Sequence, residues 1–264
     1  RLPADSKLRQ GIVISNPLGE DYSVMRTTTL NGMLSSLATN YNRRNKDVRL
    51  YELGNVYRPK ALPLTELPDE RMHFTLGNGD FFDMKGVCEE FFEKVGMRDK
   101  VDYDPNSGKT YLHPGRQANM VYDGKVVGYL GEVHPLVADT YGIGDKAYVA
   151  VIDILTVLEF ASFNHKYTGI AKYPAVTRDL SMVVPKTVLA GQIEHILTQR
   201  GGKILESYQL FDIYEGNQIK GGYKSMAYSL VFRHHDKTLE ESEITAAMKK
   251  ILNGLTDLGI ELRS

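Results

Sequence analysis

YPAVTRDLSMVVP (Tyr173–Pro185) opens the last third of the chain, and its alternation decides the fold of that region. Leu180, Met182 and Val184 point one way, and Asp179, Ser181 and Val183 point the other, as successive strand side chains must. ESYQLFDIYEG (Glu206–Gly216) repeats the pattern, with Phe211 and Ile213 opposing Asp212 and Tyr214. KSMAYSLVFRHHDKTLEESE (Lys224–Glu243) gives Met226, Tyr228, Leu230 and Phe232 against Ser225, Ala227, Ser229, Val231 and Arg233. Apolar residues at helical spacing lie between and after these strands: Ile193, Ile196 and Leu197, then Ile244, Met248, Ile251, Leu252 and Leu255. A short final strand completes a strand-helix-strand-strand-helix-strand order, the split βαβ layout of a ferredoxin-like domain.

The apolar strand sets are expected to form a core beneath the two helices. The other sets stay uncovered: small, polar and with one aromatic. Such a face is a platform on which a single-stranded base can lie. The candidate binding residues are Tyr214 for stacking, Asp212 as an acceptor for a base amine, and Ser181 and Ser225 as small hydrogen-bonding neighbours. Arg178, Lys224, Arg233 and Lys237 are candidates to meet phosphates, although Arg178 is in register with core-side residues.

Working outward, Asn164–Gly169 is a polar linker between two patterned regions. Before it, Ile12–Ile14 reads as a strand that ends at Asn16-Pro17-Leu18-Gly19, and Ser23–Thr27 as extended chain. Leu30, Met33, Leu34, Leu37, Ala38 and Tyr41 make a helix ending in the basic turn Asn42–Lys46. Strands are expected at Val48–Tyr57 and Met72–Leu76. Asp83 is expected to cap a helix through Val87, Phe91, Phe92 and Val95, ending at Gly96. Gln117–Val121 and Val126–Leu130 flank Asp123-Gly124, a hairpin signal. His134-Pro135 starts a short helix stopped by Gly142, Ala147–Ile152 is a buried strand, and Leu155–Phe160 is a last helical turn. This is an α+β pattern on a mostly antiparallel sheet.

With 264 residues, 42% of them hydrophobic and 25% charged, the chain can bury the cores of two domains. The lone Cys88 excludes an internal disulfide and a cysteine-based zinc site, and fits a reducing, cytoplasmic compartment. No apolar run is long enough for a membrane helix. A net charge of −1 places any nucleic-acid binding on local patches and stacking. Adjacent strand histidines face opposite ways, so His234-His235-Asp236 reads as a turn, not a metal site. His113-Pro114-Gly115-Arg116 reads as a tight turn with Arg116 fixed by hydrogen bonds. The start at Arg1, without methionine, leads us to expect a piece of a longer polypeptide.

Five stretches in order resemble the C-terminal part of the beta subunit of bacterial phenylalanyl-tRNA synthetase. They are Asn16–Tyr57, HPGRQA (His113–Ala118), GYLGEVHP (Gly128–Pro135), Tyr173–Val184 and Lys224–Glu243. The resemblance implies a non-catalytic core domain of the class II synthetase fold over 1–165 and a ferredoxin-fold anticodon-binding domain over 172–264. It implies a catalytic alpha subunit as partner, phenylalanine tRNA as ligand, and an (alpha-beta)2 heterotetramer. ATP and magnesium would serve the assembled enzyme, with neither bound by this segment, and no catalytic or metal residue is assigned here. Tyr214, Asp212, Ser181 and Ser225 match positions that line the anticodon-base pocket in that family. The helix at Leu30–Tyr41 and the strand at Ile12–Ile14 lie where such folds build their dimer contact, although Leu34 and Leu37 also suit a plain core.

A class II synthetase grips ATP with an arginine in its second motif and another in a glycine-rich third motif. Val48–Arg58 resembles the second motif, but Pro59 follows Arg58 at once. The third motif should fall at AYVAVIDILTVL (Ala147–Leu158), which has neither glycine nor arginine, so the ATP site is read as lost. Two other readings fit the residues: a free-standing RNA-binding module with a structural partner domain, and an autonomous ligase. The missing arginine speaks against the second.

Overall fold

A computed structural model describes residues 2–45, 47–97, 101–164, 167, 169–216 and 218–263. Lys46 of the expected basic turn and His165, Lys166 and Thr168 of the expected linker lie outside the described residues. The chain divides between residues 166 and 167 into two compact units. Among the described residues, no helix is long and apolar enough to cross a membrane.

The first unit begins with a two-stranded ribbon, β1 (Ile12–Val13) and β2 (Val24–Met25), followed by helix α1 (Leu30–Asn42). Strands β3 (Leu50–Arg58) and β4 (Asp69–Asn78), helix α2 (Phe81–Lys94), and strands β5 (Asp102–Asp104), β6 (Leu112–Tyr122) and β7 (Lys125–Val133) come next. Helix α3 (Pro135–Tyr141), strand β8 (Tyr148–Asp153) and helix α4 (Ile154–Leu158) end the unit. The sheet order is β3-β4-β8-β7-β6-β5 with every neighbouring pair antiparallel. Alternation along β8 splits the core: Val149 and Val151 pack with Leu30, Met33, Leu34 and Leu37 of α1, while Ala150 and Ile152 pack with Met84, Cys88 and Phe92 of α2. Leu34 and Leu37 are therefore core residues of this chain, each 5% exposed.

Local chemistry explains the element ends. Asp123 and Gly124 both take positive φ (47° and 75°), the geometry of a two-residue hairpin turn between β6 and β7. His134 accepts from the amide of Leu136 with Pro135 in the first turn of α3, and Gly142 ends it at φ 76°. Two expectations need correction. The cap of α2 is Asp80, whose Oδ1 accepts from the amide of Asp83 at 2.9 Å; Asp80 has extended backbone and Asp83 is already helical. Pro114 and Gly115 lie within β6, not in a tight turn, because a register shift between Leu112 and Gln117 absorbs them as a bulge. Arg116 does act structurally: its Nη1 donates to Oε2 of Glu132 at 2.7 Å, and the Glu132 side chain is 5% exposed.

The second unit contains β9 (Val176–Pro185), α5 (Ala190–Gly201), β10 (Leu205–Tyr214), β11 (Tyr223–Phe232), α6 (Glu241–Thr256) and β12 (Glu261–Leu262). Its four strands lie in the order β10-β11-β9-β12, all antiparallel, which is the ferredoxin-like arrangement. Leu180, Met182 and Val184 of β9 and Met226, Tyr228, Leu230 and Phe232 of β11 form one core with Ile193 and Leu197 of α5 and Ile244, Ile251 and Leu255 of α6. Both helices thus cover the same face of the sheet.

The reading of β10 is wrong in one respect. Phe211 and Ile213 are 55% and 53% exposed, and the core-facing residues of this strand are Leu205, Tyr208 and Leu210. Register shifts after Leu205 and after Leu210 insert Glu206 and Phe211 as extra residues, and β10 is the sheet edge, where a bulge costs the ladder least; Ile213 keeps its helix-side register with Met226 but lies exposed at that edge. A strict period of two cannot pass through a bulge.

Candidate nucleic-acid interface

The strand registers place the helix-free face of the second unit in rows. Tyr214, Ser225, Val183 and Glu261 form the first row across β10, β11, β9 and β12. Asp212, Ala227 and Ser181 form the second, which the amide of Arg263 extends by donating to the Ser181 carbonyl at 2.9 Å. Gln209, Ser229 and Asp179 form the third. With strands about 4.8 Å apart, a row spans the width of a base. Tyr214 therefore stands beside Ser225, with Asp212 one step along the same strand face and Ser181 two strands across from it. A cleft of about 180 Å³ lined by Val183, Gln218, Ile219, Lys220, Tyr223 and Glu261 continues the first row toward β12.

Tyr214, Asp212 and Ser181 are exposed; Ser225 is not, at 3%. Its hydroxyl accepts from Nη1 of Arg263 at 3.2 Å, so the arginine lies across β9 and covers the serine. The sequence reading missed Arg263 because it follows a two-residue strand, too short for alternation to register. The signal that could have found it is Ile260-Glu261-Leu262-Arg263, in which residues 261 and 263 share a face.

The expected phosphate-facing cations belong elsewhere. Arg178 is paired in register with the core residue Leu230, and its Nη2 donates to both carboxylate oxygens of Glu241, at 2.8 and 2.6 Å, in the first turn of α6. Lys224 is in register with the core residue Val184 and so belongs to the helix side. Arg233 donates to Glu206 and to the Tyr173 carbonyl, both at 3.0 Å. It is also about 26 Å of strand rise from the Tyr214–Ser225 row. Lys237 pairs with Glu243 at 2.8 Å. On the helix-free face itself, Arg263 touches a predicted residue, Ser225.

In the first unit, strand β8 ends at the position expected for a third motif. Asp153 caps α4 by accepting from the amide of Thr156 at 3.2 Å, and Arg71 of β4 donates to Asp153 at 2.9 Å and to the Thr156 hydroxyl at 3.1 Å. An internal ion pair fills that corner. Among the described residues, no group of three or more His, Cys, Asp or Glu is placed to hold a metal ion.

Comparison with known proteins agrees with this architecture. Residues 1–154 match the family model "Phenylalanyl tRNA synthetase beta chain CLM domain", and residues 171–263 match "Ferredoxin-fold anticodon binding domain". The phenylalanine–tRNA ligase beta subunit of Clostridium acetobutylicum is 43% identical over 99% of this chain and 33% of its own length. That of Bacillus subtilis is 34% identical over 93% of this chain and 32% of its own. A solved pyrrolysyl-tRNA synthetase from Desulfitobacterium hafniense is similar over 60% of this chain and 55% of its own, with a TM-score of 0.45 and 13% identity. The chain thus spans about a third of the length of the curated relatives it matches. Because the CLM-domain model alone accounts for more than half of the residues, the chain belongs to the phenylalanyl-tRNA synthetase beta-chain family.

Proposed function

We propose that this chain serves a phenylalanine–tRNA ligase by holding the anticodon region of phenylalanine tRNA on the helix-free sheet of its second unit. The observation that carries this reading is the convergence of Tyr214, Asp212 and Ser181 on that face, with Ser225 beside Tyr214 under Arg263. Tyr214 stacks on a base, a contact worth about 1–3 kcal/mol in such sites. Asp212 accepts from the exocyclic or ring N–H of the same base. Ala227 between Asp212 and Ser181 leaves room for the ring to lie flat.

The functional domains are drawn at 1–165 and 172–264. The first supports a catalytic alpha subunit in an (alpha-beta)2 assembly in the cytoplasm and performs no chemistry itself. ATP and magnesium are used by that partner. The absence of an arginine from Ala147–Leu158, where Asp153 is tied to Arg71, supports this division of labour. The test is aminoacylation by the assembled synthetase carrying Tyr214→Ala: KM for tRNA should rise while phenylalanine-dependent ATP–pyrophosphate exchange stays at its original rate. Loss of both together would mean that the substitution acts on assembly and not on the anticodon.

A further inference from the structure

Arg263 follows β12 and is fixed to the sheet by its own backbone, the amide donating to the Ser181 carbonyl at 2.9 Å. Strand β12 pairs with β9 at Val183 and Met182, and Ser225 of β11 is the register partner of Val183. The Arg263 side chain therefore crosses β9 on the helix-free face before its Nη1 donates to the Ser225 hydroxyl at 3.2 Å. Ser225 in turn stands opposite Tyr214, in a cross-strand pair whose Cβ atoms are about 5 Å apart. The guanidinium is held beside the ring that stacks a base. A hydroxyl orients the guanidinium without neutralising it and takes one of its five N–H donors. Among the described residues, the ion pairs of the second unit use Arg178, Lys186, Arg233 and Lys237 and leave Arg263 out.

We propose that Arg263 meets the RNA backbone on this face, its guanidinium binding the phosphate next to the nucleotide stacked on Tyr214. The proposal rests on the reading of the face as an anticodon platform. A guanidinium is always charged, and its planar fork matches two phosphate oxygens. Tyr214, Asp212 and Ser181 address the base, and none of them supplies positive charge. Asp212 and Glu261 place carboxylates on the same face, which repel a phosphate from their ends of the rows. The chain carries a net charge of −1, so no general attraction stands in for a local contact. Backbone contacts fix register and orientation while base contacts specify. Arg263 is thus a positioning residue for the nucleotide that Asp212 reads.

The test is the salt dependence of phenylalanine tRNA binding by the assembled synthetase, followed by fluorescence anisotropy over a range of sodium chloride concentrations. On a single strand, each phosphate contact contributes about 0.7 to the slope of log affinity against log salt. Arg263→Gln, which can still donate to Ser225, should make the slope shallower by about 0.7 and weaken binding several-fold, whether the tRNA carries its own anticodon or a changed one. Arg263→Lys should keep the parental slope, because the charge remains. A parental slope in Arg263→Gln would overturn the inference. So would a loss confined to the parental anticodon, which is the mark of a base contact. Tyr214→Ala separates the two claims. If it weakens binding while Arg263→Gln keeps the slope, the phosphate contact alone is wrong; if neither variant alters tRNA binding, the platform is wrong as well.

Discussion

The hydroxyl of Tyr214 lies over Gly216 so closely that a Cβ at residue 216 would stand 2.2 Å from it. The ring of the proposed stacking residue is therefore laid along its own strand toward the loop, in space that only a glycine leaves open. Gly216→Ala should displace the Tyr214 ring, a flexible side chain that can yield, and so change stability by less than about 0.5 kcal/mol. KM for phenylalanine tRNA in the assembled synthetase should nevertheless rise several-fold. A KM equal to that of the parent, with the ring shown by NMR to have moved, would remove Tyr214 from the site.

Arg178 is committed to Glu241, with side chains 38% and 70% exposed. Arg178→Ala should cost less than about 1 kcal/mol in urea unfolding, as expected for a partly exposed pair. It should leave the tRNA KM and its salt dependence unaltered. A flatter slope of binding against log salt would show that Arg178 does meet a phosphate.

Glu132 is 5% exposed in its side chain and depends on Arg116, with the Tyr148 hydroxyl at 3.3 Å as its second donor. Arg116→Ala should lower the unfolding midpoint because it leaves a buried carboxylate without its cation. Adding Glu132→Gln should recover most of the loss. If the double variant is no more stable than the single one, Arg116 acts through something other than Glu132.

His73 gives the first unit a pH dependence of known sign. Burial, then Arg58, lowers its pKa from 6.5 to about 4. Above pH 6.5 the imidazole is neutral in both folded and unfolded chains, and the stability is fully present. As the pH falls toward 4, the unfolded chain takes up a proton that the folded chain refuses, so stability is lost through that window, on the order of 3 kcal/mol. Hydrogen exchange of residues 69–78 between pH 7 and 4 should show this loss, and His73→Gln should flatten it relative to the parent.

What could be read from the sequence tracks where periodicity is unbroken. Strands β9 and β11 keep a strict period of two, so their core residues and the face of Ser181 and Ser225 are legible from Tyr173–Pro185 and Lys224–Phe232 alone. Strand β10 breaks the period twice, so Phe211 falls in a bulge, while Ile213, in register with the core residue Met226, keeps the helix side opposite Asp212 and Tyr214 but stays exposed. Partnership is the second limit. The basic character of Arg178, Arg233 and Lys237 is plain in the sequence, but Glu241, Glu206 and Glu243, which neutralise them, come close only through folding. Arg263 escaped for the reverse reason: a two-residue strand carries no pattern, yet its pairing with Met182 and Val183 sets the next side chain over Ser225.

The most direct test of anticodon recognition by the helix-free face is the KM for phenylalanine tRNA of the assembled synthetase carrying Tyr214→Ala. Loss of one base stack should raise it by roughly 5- to 150-fold, equivalent to about 1–3 kcal/mol, with phenylalanine-dependent ATP–pyrophosphate exchange preserved. A KM indistinguishable from that of the parent enzyme would contradict the assignment of this face.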